Sequence, residues 1–129
     1  MTQATDDRNL KVLVVDDERL IADSLTMILG KSGFDTRAAY SGEMAVAMAR
    51  NFCPDMLITD VVMPGMTGIE AAIQVRDMLP ACKVLLFSGQ LAAEGLVQMA
   101  RERNQEFELI CKPIHPEELI AKLQSVLCV

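Results

Sequence analysis

The sequence predicts an α/β fold, a doubly wound five-stranded parallel sheet with helices on both faces, and three observations carry that expectation. Strand-like apolar runs alternate with helix-like amphipathic stretches from end to end, the pattern that builds parallel sheets. Four of those runs stop on polar residues of different kinds: Val12-Leu13-Val14-Val15 on Asp16-Asp17, Met56-Leu57-Ile58-Thr59 on Asp60, Val84-Leu85-Leu86-Phe87 on Ser88, and Leu109-Ile110-Cys111 on Lys112-Pro113. The chain has 129 residues, of which 51% are hydrophobic, the size of one compact domain with a sizeable core. In a parallel sheet the carboxyl ends of the strands lie side by side, and ligands bind in the crevice outside them.

The elements follow in order. A strand near 11–16 leads into a helix near 18–31, where Ile21, Leu25, Ile28 and Leu29 recur at helical spacing and Gly30 and Gly33 punctuate the end. Phe34 to Ala38 alternates as a strand with one partly wet face would, which suits a sheet edge. Ser41 is suited to cap a helix over 42–51, with Glu43 in its first turn facing the positive end of the dipole. After the strand ending at Asp60, Met63-Pro64-Gly65 reads as a turn, and Thr67 to Glu70 has capping-box spacing for a helix to about 78. The strand ending at Ser88 precedes a weaker helix over 91–103, interrupted by Gly95 at a cost of about 1 kcal/mol relative to Ala. After the fourth polar-ended run, Pro116 opens a last helix with Glu117 and Glu118 in its first turn, and Leu119, Ile120, Leu123, Val126 and Leu127 form its apolar stripe.

Composition excludes several function classes. A net charge of −6 provides no basic footprint, so direct nucleic-acid binding is not expected. Residues 1–9 form a polar tail without a signal-peptide core, and no apolar run approaches the ~20 residues that span a bilayer, so a cytoplasmic location is expected. Cys53, Cys82, Cys111 and Cys128 lack metal-site spacing and read as reduced, mostly buried thiols, as the nine Met read as packing. Residues 10–129 are expected to form a single domain, with no stretch left for an output domain. A complete regulator and a piece of a longer one are both compatible with that. His115 reads as a loop or cap residue ahead of Pro116.

The polar strand ends carry the chemistry. Asp16, Asp17 and Asp60 offer the hard oxygen donors that Mg²⁺ prefers, with room for water and a phosphate oxygen. A carboxylate is itself a competent nucleophile toward phosphorus. Phosphoryl transfer then needs chiefly positioning and charge neutralisation, for which Lys112 supplies a point charge, Ser88 a hydroxyl donor and the small Gly89 an open approach.

Those residues resemble the receiver (phosphoacceptor) domain of the two-component response regulator family over nearly the whole chain. Val14-Val15-Asp16-Asp17-Glu18 resembles the family's acidic pair, Asp60 to Gly68 its phosphoacceptor loop, Ser88 its Ser/Thr position and Lys112-Pro113 its Lys-Pro pair. The resemblance implies a flavodoxin-like sheet of order 2-1-3-4-5. It also implies that Asp60 accepts a phosphoryl group from a phosphohistidine of a sensor histidine kinase or histidine phosphotransfer protein. Asp17, Asp60 and the Val62 carbonyl would hold Mg²⁺ directly, Asp16 would act through water, and Lys112 would pair with Asp60 or its phosphoryl group. Pro113 would follow a cis bond, and Val62 and Gln90 would flank the entrance. Leu109 stands where the family usually carries Tyr or Phe, so a displaced or muted switch is expected in the 91–103 helix, the last strand and the last helix. Signalling would run through an unidentified downstream protein; a homodimer is compatible with the sequence, but no patch compels one. A Mg²⁺-dependent phosphatase or phosphotransferase on a small substrate and a non-phosphorylated scaffold module are the alternatives. The first is disfavoured because Asp16 and Asp17 are adjacent and no cap insertion encloses a substrate, the second because every site position is filled.

Overall fold

The computed structural model describes residues 10–88, 108–111 and 115–127. The 1–9 tail, Gly89, Gln90, the expected 91–103 helix, Lys112 and Pro113 lie outside the described residues. The elements are β1 (Lys11–Val15), α1 (Arg19–Lys31), β2 (Asp35–Ala39), α2 (Gly42–Phe52), β3 (Met56–Asp60), α3 (Gly68–Met78), β4 (Lys83–Ser88), β5 (Glu108–Cys111) and α4 (Pro116–Leu127). All strand pairs are parallel and the sheet order is 2-1-3-4-5, as expected.

Alternation along each strand divides the core into two layers. Val12, Val14, Met56, Ile58, Leu85 and Phe87 face one way, where Leu29 of α1 and Leu119 and Leu123 of α4 cover them. Leu13, Val15, Leu57, Val84 and Leu86 face the other way and pack under Ala45, Val46, Ala49 and Phe52 of α2 and Ile69, Ala72 and Val75 of α3. Each fully buried Val, Leu or Ile contributes about 1.5–3 kcal/mol relative to an exposed one. Helices therefore cover both faces. The sheet edge at β2 is partly wet, with Asp35 and Arg37 exposed and Thr36 and Ala38 half-buried, the alternation expected of it.

Capping follows the sequence closely. Ser41 Oγ accepts from Met44 N at 3.0 Å and starts α2, and Gly33 takes φ +101° just after α1. The cysteine expectation needs correction at one position. Cys53 is exposed, caps α2 in the left-handed region at φ 51°, and donates its N–H to Ala49 O at 2.9 Å, a place that usually falls to Gly.

Cys82 is buried, and that burial pushes its thiol up to about 11, Arg76 opposing the shift in part. At about pH 8.5, where an ordinary thiol is half ionised, alkylation with peptide mass mapping is expected to modify Cys53 in the native protein and Cys82 only after unfolding. Native-state modification of Cys82 at the Cys53 rate would contradict this packing.

Candidate functional site

The strand register brings the acids together. Val15 pairs with Thr59 and Asp60 pairs with Phe87, so Asp16 and Asp60 emerge from neighbouring strands at the same level. Ligand oxygens of Asp16, Asp17 and Asp60 lie within 4.8 Å of one another. Asp16 is buried, Asp17 exposed and Asp60 between the two, so the cluster has a protein side and an open side. Asp16 is fixed at both ends: its N–H donates to Ala39 O at 3.1 Å, and its Oδ1 accepts from Glu18 N at 2.9 Å. That second bond is a local Asx-type turn, which steers the chain from β1 into α1.

The loop after Asp60 is held from three directions. Gly68 N donates to Val61 O at 2.9 Å, closing residues 61–68 into a compact turn. Val61 and Met63 are buried while Val62 between them is 48% exposed, so the loop is pinned from below and presents Val62 outward. The Thr67–Glu70 capping box is complete: Thr67 Oγ1 accepts from Glu70 N at 3.2 Å, and Glu70 Oε1 accepts from Thr67 N at 3.1 Å. A cap of this kind contributes about 1 kcal/mol.

A third hold was not read from the sequence. Glu43 Oε2 accepts from Met66 N at 3.3 Å, and Gly42 lies so close to Met66 that a Cβ would meet its side chain and carbonyl at 2.9–3.0 Å. Glu43 was expected only to favour the positive end of its own helix; it also ties α2 to the loop that follows Asp60. Gly65 turns that loop at φ +73°, beside the same carboxylate. After β2, Tyr40 donates its hydroxyl to Asp23 Oδ1 of α1 at 2.6 Å, with the Arg19 guanidinium 4.2 Å from its ring centroid. The hydrogen bond to Asp23 raises the Tyr40 phenol above its ordinary value.

Ser88 ends β4 opposite Cys111, one position past the residue paired with Asp60, and Leu109 sits in β5 opposite Leu86. Of the residues expected at the site, the structure brings together Asp16, Asp17 and Asp60 and places Ser88 at the same end of the sheet. His115 is exposed just before α4.

Three carboxylates with no thiolate or imidazole among them fit a small, hard divalent cation such as Mg²⁺, and the open side suits an ion that keeps several waters. No helix among the described residues is long and apolar enough to cross a membrane.

The chain matches the family model described as response regulator receiver domain over residues 12–124. It is 31% identical over 122 residues to the probable transcriptional regulatory protein TcrX of Mycobacterium tuberculosis, covering 95% of this chain and 51% of that protein. It is 32% identical over 115 residues to the DNA-binding response regulator MtrA of Mycolicibacterium paratuberculosis, covering 89% of this chain and 50% of that one. The chain thus spans about half the length of these curated relatives. Among solved structures it is similar to the chemotaxis protein CheY4 of Vibrio cholerae, with 30% identity, a TM-score of 0.82, and coverage of 92% and 99% of the two chains. A putative response regulator from Chloroflexus aurantiacus is similar at 28% identity and a TM-score of 0.80, with coverage of 95% and 100%.

Proposed function

Since the chain belongs to the response regulator receiver domain family, whose members are phosphoacceptor switches that work with histidine kinases, we propose that Asp60 accepts a phosphoryl group from a phosphohistidine. The donor is a sensor histidine kinase or a histidine phosphotransfer protein. A carboxylate oxygen of Asp60 attacks phosphorus in line with the phosphorus–nitrogen bond. That bond breaks, an acyl phosphate forms on Asp60, and the donor imidazole regains a proton from solvent. The convergence of Asp16, Asp17 and Asp60 carries this reading, because two acids beside the nucleophile make sense around a cation and a phosphoryl group.

Asp17, Asp60 and the Val62 carbonyl would hold Mg²⁺, with Asp16 reached through water. When bound, the ion neutralises charge on the phosphoryl oxygens. Asp16, fixed by Ala39 O and Glu18 N, orients the acidic pair. The loop clamped by Gly68, Glu43 and the capping box holds Val62 beside Asp60. Ser88 and Lys112 are assigned to the remaining phosphoryl oxygens as hydroxyl donor and ammonium. Gly89 leaves the approach open, and Val62 and Gln90 flank it, Val62 with no polar group to orient water.

The chain acts in the cytoplasm as a switch that assists its own phosphorylation and dephosphorylation, and it signals through a downstream protein. Leu109, in place of an aromatic residue, displaces or mutes the passage of the signal to the outer face. Amide exchange with and without a phosphoryl mimic is expected to differ in the 91–103 segment, β5 and α4. No difference in those elements would overturn that reading.

The proposal is tested by incubation with Mg²⁺ and a small acyl phosphate. A single acid-stable, base-labile phosphoryl adduct is expected. Rapid turnover of many phosphate esters would assign an enzyme instead, and no adduct at all would assign a scaffold.

A further inference from the structure

We propose that the groove formed by the first residues of β1 and β2 and the last turn of α2 binds a small organic phosphate of nucleoside-monophosphate size. The cavity has a volume of about 360 Å³ and is lined by Lys11, Asp35, Arg37, Met48, Asn51 and Phe52. That is within the range of about 300–1,000 Å³ that holds small-molecule ligands. Lys11 and Asp35 begin their strands and pair in register. The groove therefore lies at the opposite end of the sheet from the acid cluster, about 16 Å away along β1. It is a second site.

Charge identifies the ligand's first part. Phe52, 7% exposed, closes the bottom of the groove, with the Arg37 guanidinium 4.8 Å and the Lys11 ammonium 5.8 Å from its ring centroid. Among the described residues neither cation has a carboxylate within ion-pair distance; their side-chain contacts are with the ring. Both cations line the groove beside the Asp35 carboxylate, and the Asp55 carboxylate accepts from the Lys11 backbone N–H at 2.9 Å, so the groove offers two cationic donors in a mixed-charge setting. Ring stacking uses none of the guanidinium N–H donors, which remain able to take a phosphate in the bidentate manner that Arg favours.

The other lining groups determine the remainder. The Asp35 carboxylate opposes a bare anion but accepts from hydroxyl or amine donors, which a ribose or an amino-substituted base provides. Asn51 offers a donor and an acceptor for the edge of a base, and Met48 gives a planar group an apolar contact. An inorganic phosphate would satisfy Lys11 and Arg37 only, whereas a nucleoside would satisfy the rest without them. A nucleoside monophosphate engages both sets.

The test is an amide-shift titration of the isotope-labelled protein in Mg²⁺-free buffer, with adenosine monophosphate as the probe and inorganic phosphate and adenosine in parallel. Adenosine monophosphate is expected to give saturable shifts at Lys11, Arg37, Asn51 and Phe52, with affinity about tenfold or more above that of either half. Arg37→Gln and Lys11→Gln are each expected to weaken binding by about tenfold, the loss of one charge-assisted contact. Arg37 is exposed and Lys11 half-buried, so unchanged spectra elsewhere will show that both variants remain folded. Equal affinity for inorganic phosphate, non-saturating shifts, or binding indifferent to both substitutions would overturn the proposal.

Discussion

Gly68→Ala is expected to destabilise the protein by roughly 3 kcal/mol or more, a large effect for the addition of one methyl group. Gly68 is the first residue of α3, and its N–H donates to Val61 O at 2.9 Å. A Cβ at this position would run into the carbonyl oxygen of Asp60, with the Asp60 carbonyl carbon at 2.9 Å and Thr59 Oγ1 at 3.0 Å also crowding it. The nearest obstacle is backbone at the end of β3, not the tip of a side chain that could rotate away. Relief requires α3 to back off or Asp60 to shift, so phosphoryl uptake should fall together with stability.

Gly30→Ala is the control. Its Cβ would meet Thr36 Oγ1 at an ordinary 3.5 Å inside α1, so it should be neutral or stabilise by up to about 1 kcal/mol. Urea midpoints of the two variants provide the comparison. A Gly68→Ala protein within about 0.5 kcal/mol of wild type would contradict the close approach.

Mg²⁺ at about a hundred times its Kd is expected to stabilise the wild-type protein by about 2.7 kcal/mol and the Asp60→Asn variant by far less. Three carboxylates with oxygens within 4.8 Å repel one another when no cation is bound. Each pair at that distance is worth about 3–4 kcal/mol at an effective dielectric of 20, before screening by salt and neighbouring groups. Removing the Asp60 charge also removes that residue's own interaction within the protein, so the comparison is the difference in Mg²⁺ response between the two proteins. Denaturation with and without the ion measures it. Equal Mg²⁺ stabilisation of the two proteins would show that the ion is held elsewhere.

Those two effects arise from parts of the site that were unequally legible in the sequence. The strands were readable because each apolar run stops on a polar residue, and the parallel register then places those stops at one end of the sheet. Ser41 and the Thr67–Glu70 box were readable because caps are local, their partners lying three residues away. The Glu43 to Met66 bond joins residues 23 apart, and nothing in either segment announces it. Gly68 looked like one member of a capping-box sequence; its contact with Asp60 O depends on how α3 seats against β3.

Cys53 illustrates another limit. Its sequence neighbourhood suggests a buried thiol, but the chain reverses there, and the residue must take a left-handed conformation on the surface. Nothing in the sequence singles out Phe52 either. Only the pairing of β1 with β2 brings Lys11 and Arg37 over it.

Locating the phosphoryl group tests the central claim most directly. After treatment with Mg²⁺ and a small acyl phosphate, the acyl phosphate is trapped by borohydride reduction and the modified peptide is mapped by mass spectrometry. Modification should fall on Asp60 alone and vanish in Asp60→Asn. A label on His115, on Asp16 or Asp17, or one that persists in Asp60→Asn, would contradict the assignment of Asp60 as the phosphoacceptor.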